Sequence, residues 1–125
     1  KIMAAFGLPK GTEEEKAARA EAIEKATLYA TQVPLRTMKA SFKAFEITRA
    51  MAEIGNPNSV SDAGVGALAA RSAVLGAQLN VKINAASLND KAKAAELVAE
   101  ADEIAAKAVQ EEKEILDIVN SKING

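Results

Sequence analysis

The most constraining feature of the sequence is a long, nearly uncharged segment in its middle. Between residues 63 and 81 the only charged side chain is Arg71, and small or apolar residues occupy every face of the helix that this segment would form. A helix that is apolar on all sides normally lies among other helices. Gly64, Gly66 and Gly76 weaken helix formation, so we expect close packing or a ligand to need that space. The segment predicts a central helix over residues 62–86.

The flanking segments predict an all-α bundle of long amphipathic helices around this central helix. Thr12 and Glu15 form a capping-box pattern that predicts a helix start, and the helix should run from about 13 to 53 with a kink at Pro34. Gly55 fits a left-handed C-cap, and Ser61 or Asp62 fits the cap of the central helix. A last helix over 90–123 has a buried stripe and an outer charged face that includes Glu111–Glu114. The chain reads as a single domain over residues 1–125.

The composition excludes several functional classes. The chain has no His and no Cys, which removes Ser-His-Asp triads, thiolate nucleophiles and the usual zinc sites. Its formal net charge of -1 and 3% aromatic content predict no nucleic-acid partner. A membrane span is disfavoured by the polar residues Asp62, Arg71, Gln78, Asn80, Lys82 and Asn84. Without cysteines, a reducing cytoplasm fits at least as well as secretion, and a cytoplasmic location is predicted.

Two polar groups could bind a ligand. The first lies at the start of the central helix, where free N–H groups suit an anion or a carbonyl, and comprises Asn56, Asn58, Ser61 and Asp62. The second is the pair Asn80 and Asn84, four residues apart on one helix face, which could read the edge of a heterocycle. The alternative for the first group is a plain turn with a cap, and the alternative for the second is interhelical hydrogen bonding.

Arg71 requires a partner if it is buried. Asp62, a glutamate of an earlier helix or a ligand carboxylate are the candidates.

Several ordered stretches resemble the formimidoyltetrahydrofolate cyclodeaminase family, which includes methenyltetrahydrofolate cyclohydrolases. They are residues 3–16, 33–35, 55–58 with 61–65, and 76–84. The resemblance implies a helical bundle, a homodimer, a folate substrate and no metal or redox cofactor. It also implies closure of 5-formimidoyltetrahydrofolate to 5,10-methenyltetrahydrofolate with loss of ammonia, or opening of the methenyl compound by water. Asn56, Asn58, Ser61, Asp62, Asn80 and Asn84 are assigned to the folate pocket.

The family resemblance also predicts what this chain does not contain. Family members have a further helical region, and their catalytic aspartate lies shortly before the position of Lys1. The chain is therefore interpreted as the C-terminal part of the domain, with no catalytic residue of its own and no activity alone. Such a piece should expose an apolar face and tend to associate. The alternatives are a noncatalytic helical interaction module and a purely structural dimerisation bundle.

Overall fold

Alanine-rich segments with helical periodicity form five α-helices, and the predicted all-α class is confirmed. The computed structural model describes every residue from Lys1 to Gly125 and contains helices, turns and one 3₁₀ turn at Pro57–Ser59. The helices are α1 (Ile2–Phe6), α2 (Glu13–Phe42), α3 (Ala44–Ile54), α4 (Val60–Ala85) and α5 (Lys91–Asn124). No helix is both long enough and apolar enough to cross a membrane.

Side-chain caps fix the starts of the two longest helices. The Thr12 hydroxyl accepts a hydrogen bond from the Glu15 backbone N–H at 3.1 Å, as the capping-box pattern predicts. The Glu15 carboxylate returns to the N–H of Gly11, one residue before the expected position. At the start of α5, the Asp90 carboxylate accepts from the Lys93 N–H at 2.9 Å. These bonds satisfy donors that have no partner inside the helix.

The long helix predicted over 13–53 is divided, but not at the proline. Helix α2 continues through Pro34 and ends at Phe42, and a turn at Lys43 leads into α3. The break lies beside an aromatic pair, because the rings of Phe42 and Phe45 pack edge to face with centroids 5.4 Å apart. Phe45 is fully buried, so the turn at Lys43 accompanies the insertion of this ring into the core.

The connection between α3 and α4 corrects two predictions. Gly55 has extended backbone angles (φ -75°, ψ -179°), so the predicted left-handed cap is wrong. Glycine is needed there because a Cβ atom would clash with the carbonyl of Met51. The chain then makes the 3₁₀ turn, α4 begins at Val60, and Ser59 is its N-cap residue without a side-chain bond. Ser61 and Asp62 lie inside the first turn and do not cap it.

Helix α4 is the centre of the core, but only one of its faces is buried. That face packs against α2, α3 and α5 and consists mainly of alanine and valine: Ala63, Ala67, Ala70, Val74, Ala77, Val81 and Ala85. The opposite face exposes Val65, Leu68, Leu79 and Ile83, with Ile83 69% exposed. The expectation that other helices surround α4 is therefore wrong for this chain, and the expected exposed apolar face is present.

The glycines of α4 have different roles. A Cβ on Gly66 would lie 2.8 Å from the Thr48 side chain, and one on Gly64 would lie 3.3 Å from Val119. Both positions therefore allow close approach of neighbouring helices. No atom lies within 4 Å of a Cβ on Gly76, which is on the exposed face. The prediction of close packing is confirmed at the first two glycines only.

Arg71 pairs with a residue that the sequence placed on the solvent face. Its Nη1 lies 3.2 Å from Oε2 of Glu112, and the Glu112 side chain is only 7% exposed. Glu112 falls in the buried stripe of α5 because it follows Ala105 and Ala108 at helical spacing. Arg71 therefore forms an ion pair with a later helix, and two of its candidate partners, Asp62 and a glutamate of an earlier helix, are wrong.

Charged contacts also fasten α3 to α5. Arg49 donates to the carboxylate of Glu111 at 2.7 Å and lies 3.5 Å from that of Glu114. The hydrogen bond with Glu111 raises the pKa of Arg49, although partial burial opposes this shift. The Lys122 ammonium donates to the carbonyls of Ala52 and Glu53, near the end of α3, where a cation is favoured.

The Arg71–Glu112 pair should be asymmetric in its contribution to stability. Arg71→Met leaves a nearly buried carboxylate without its cation, which we expect to cost about 3 kcal/mol. Glu112→Gln leaves an arginine whose side chain is 40% exposed and can turn to water, so we expect about 1 kcal/mol. Urea unfolding at neutral pH measures both, with the exposed Arg36→Met as control. Equal costs, or a larger cost for Glu112→Gln, would contradict this account.

Candidate functional site

Asn80 and Asn84 line a cavity of about 300 Å³ between α2 and α4. Its other lining residues are Val33, Pro34, Thr37 and Ala77. The cavity combines an apolar wall from α2 with two amide side chains from α4. Two stretches far apart in the sequence, 33–35 and 76–84, therefore meet at one place.

The proline in α2 explains what one of the amides does. In an α-helix the N–H of residue 34 would donate to the carbonyl of Ala30, but proline has no N–H. The side-chain Nδ2 of Asn84 donates to that carbonyl instead, at 2.9 Å. A polar group from α4 thus satisfies a backbone acceptor that the sequence of α2 leaves free. The alternative of an interhelical hydrogen bond is confirmed for Asn84. The Oδ1 atom of Asn84 has no protein donor.

The polar groups remaining in the cavity are few. Asn80 makes no hydrogen bond with the protein, while the Thr37 hydroxyl donates to the Val33 carbonyl at 3.3 Å. The cavity is therefore lined by a free amide from Asn80 and by Asn84, whose Oδ1 accepts from no protein donor. None of its lining residues is ionisable, so it can supply hydrogen bonds but no side chain that takes up or releases a proton.

The other predicted site residues lie elsewhere. Asn56, Asn58, Ser61 and Asp62 are exposed around the start of α4, and the Asn56 side chain accepts from the Asn58 N–H at 2.9 Å. None of them lines a cavity. Asp62 and Asn80 are separated by 18 residues of one helix, or about 27 Å. The structure does not bring the two groups into one site, and a substrate role for the first group stays a prediction.

The cavity continues along α2 into two more apolar hollows that the sequence analysis missed. One of about 350 Å³ shares Val33 and Pro34 with it and extends to Tyr29; the next, of about 450 Å³, reaches Leu8 between α1 and α2. Together the three form a groove, which we call the α2 groove. The spacing of Ala22, Ala26, Tyr29 and Val33 was the available signal, but helical spacing alone does not distinguish a groove from a core.

Cations lie beside Tyr29 in the middle of the α2 groove and at its far end. The Lys1 ammonium lies 3.8 Å from the centre of the Tyr29 ring, and the Arg36 guanidinium lies 5.7 Å from it. Lys25 pairs with Glu21 at 2.8 Å. Their hydrogen bond, reinforced by the charge attraction, raises the pKa of Lys25 and lowers that of Glu21. No group of three or more carboxylates is arranged to hold a metal ion.

Comparison with known proteins identifies the family. The profile described as Formiminotransferase-cyclodeaminase matches residues 1–103. The methenyltetrahydrofolate cyclohydrolase of Methylorubrum extorquens is 42% identical over 123 residues, which are 98% of this chain and 59% of the relative. The formimidoyltransferase-cyclodeaminase of Dictyostelium discoideum is 34% identical over 118 residues, and that of Mus musculus is 35% identical over 86.

The chain thus spans 59% of the Methylorubrum relative and 21% of the Dictyostelium relative. The matched residues include the whole α2 groove. The chain belongs to the formiminotransferase-cyclodeaminase family.

Proposed function

We propose that this chain forms part of a folate one-carbon enzyme that opens 5,10-methenyltetrahydrofolate with water. The 42% identity to a methenyltetrahydrofolate cyclohydrolase, over nearly all of the chain, carries this proposal. In that reaction water adds to the methenyl carbon, one C–N bond breaks, and a proton is released. The second candidate is cyclisation of 5-formimidoyltetrahydrofolate with loss of ammonia, which the 34% identity to a cyclodeaminase supports.

The α2 groove has the chemistry that a folate needs. Folates are elongated, with a heterocycle at one end, an aromatic ring in the middle and carboxylates at the other end. The groove has amides at one end, apolar residues and Tyr29 with the Lys1 ammonium over its ring in the middle, and Lys25, paired with Glu21, at its other end. This order of polar, apolar and cationic groups supports a folate as the ligand.

The catalytic group is proposed to lie outside the amide-lined cavity. Both candidate reactions need a positioned proton donor or acceptor near a cationic carbon. None of the residues that line the cavity of Asn80 and Asn84 has an ionisable side chain. We therefore propose that the chain supplies binding surface, that a carboxylate from another part of the functional enzyme completes the site, and that this chain alone is inactive.

A homodimer is proposed for the functional protein, through the exposed face of α4. This face has large apolar residues at both ends and small ones, such as Ala69 and Gly76, in its middle. Two antiparallel α4 helices related by a twofold axis near residue 74 would place Val65 opposite Ile83 and Leu79 opposite Ala69. Such a surface complements itself, as a twofold interface requires. Asn80 is exposed and lies beside Ile83 at the edge of this face, so a second copy would also cover the cavity. A cytoplasmic location accompanies this proposal and stays a prediction.

Folate binding tests the proposed function directly. We expect isothermal titration calorimetry to show tetrahydrofolate binding to the 125-residue chain, and Asn80→Ala to weaken it about tenfold by removing a hydrogen-bonding amide. Asn120→Ala changes an exposed helical asparagine far along α5 and should leave the affinity unchanged. Loss of absorbance of methenyltetrahydrofolate measures turnover, which we expect from the Methylorubrum relative and not from this chain alone.

The noncatalytic alternative predicts a different result. A helical interaction module would bind neither tetrahydrofolate nor its methenyl and formimidoyl derivatives, and Asn80→Ala would change only stability. Absence of all folate binding by a folded chain would therefore reject the enzyme proposal and favour the module.

The oligomeric state tests the α4 interface. We expect sedimentation velocity at micromolar concentration to show a dimer, and Ile83→Asp to give a folded monomer because a charge would be buried in an apolar interface. Ile47→Asp is the matched control, since Ile47 is an equally exposed isoleucine on α3. A monomeric parent chain would contradict the dimer and leave the α4 face to another segment of a longer protein.

A further inference from the structure

The missing N–H of Pro34 has a consequence for ligand specificity. The Ala30 carbonyl can only accept a hydrogen bond, so only the nitrogen of the Asn84 amide can face it. Nδ2 and Oδ1 point in different directions from the same carbon. Rotating the amide would break the bond from Nδ2 to Ala30 and place Oδ1 against the Ala30 carbonyl oxygen, although both atoms can only accept. The orientation of Asn84 is therefore fixed by α2.

The Asn84 side chain consequently has a defined hydrogen-bonding preference, because only its acceptor Oδ1 lacks a partner. The Oδ1 atom of Asn84 has no protein donor, and Asn84 lines the cavity together with Asn80. An oxygen acceptor in a partly buried cavity binds a donor better than another acceptor, because two facing acceptors leave both unpaired. Asn80 has no hydrogen bond with the protein, so its amide is free to turn and to match either kind of group.

We propose that Asn84 is a specificity-determining residue: its fixed Oδ1 accepts from the 2-amino and N3–H edge of the folate heterocycle, and Pro34 sets this polarity. This inference rests on the proposed folate substrate and specifies which end of it occupies this cavity. The benzoylglutamate part then extends along the α2 groove towards Tyr29 and Lys25. Asn84 positions the heterocycle by hydrogen bonding and takes no part in proton transfer.

A double-mutant cycle tests, without any ligand, whether the Ala30 carbonyl fixes the orientation of the Asn84 amide. Asn84→Ala removes the donor to Ala30, and we expect it to lower the folding equilibrium constant about tenfold, since a half-buried carbonyl loses its partner. Pro34→Ala restores a backbone N–H to that carbonyl. In the Pro34→Ala background, Asn84→Ala should change the constant by less than about twofold. An equal change of the folding equilibrium constant in both backgrounds would contradict the fixed orientation of Asn84.

A pair of ligands tests whether Asn84 prefers a hydrogen-bond donor. Calorimetry compares tetrahydrofolate with its 2-desamino-2-methyl analogue, which lacks one donor of the proposed edge. We expect the analogue to bind the parent chain about tenfold more weakly, because Oδ1 of Asn84 loses the 2-amino donor and keeps only N3–H. In Asn84→Ala the ratio of the two affinities should approach one. A purely structural role for Asn84 would lower both affinities and leave their ratio unchanged.

The outcomes separate this inference from the proposed function. Equal affinity of the parent chain for the two ligands would overturn the assignment of the heterocycle to Asn84 while folate binding stands. Loss of the ratio in the control Asn120→Ala would also overturn it. If neither ligand binds, the proposed function and this inference both fail, whatever the result of the double-mutant cycle.

Discussion

Close packing of the small residues of α4 is the constraint on which the rest of the fold depends. Each alanine buries little apolar area, so stability has to come from many helix contacts at short distance. Gly66 shows how short this distance is, since even a Cβ would come within 2.8 Å of Thr48. The small side chains of α4 leave room for larger ones from its neighbours. These are Leu35 and Met38 of α2, Phe45 of α3, and Leu97 and Ile115 of α5.

Much of this architecture could be predicted from the sequence because the signals are local. Caps at Thr12 and Asp90, and the period of the apolar stripe in α5, depend on residues within one or two turns. One failure involves a contact between distant residues. Glu112 looks like a member of a charged surface run until the position of Arg71, 41 residues earlier, is known. The error at Gly55 is local: the residue is extended, and glycine is required because a Cβ would meet the Met51 carbonyl.

The candidate site shows the same limit. The spacing of Asn80 and Asn84 correctly placed both amides on one face of a helix, and both line one cavity. The spacing could not show that the two are unequal, because this depends on the missing N–H of Pro34 in another helix. The groove along α2 was also invisible to periodicity, since Tyr29 and Val33 have the spacing of core residues. The start of α4 looked like a pocket because polar residues cluster there, but a cluster in sequence does not make a concave surface.

Pro34 thus links the fold to the specificity of the site. A proline inside a helix normally costs stability by removing a hydrogen bond and crowding the preceding turn. Here the Ala30 carbonyl, which lacks the N–H of residue 34, accepts from the Asn84 side chain of α4. The hydrogen bond missing within α2 is replaced by one between α2 and α4. An alanine at position 34 would give a better α2 and leave the Asn84 amide free to turn. The two amides then differ in what they can bind. The fixed amide of Asn84 favours a hydrogen-bond donor, whereas the free amide of Asn80 can turn to match a donor or an acceptor.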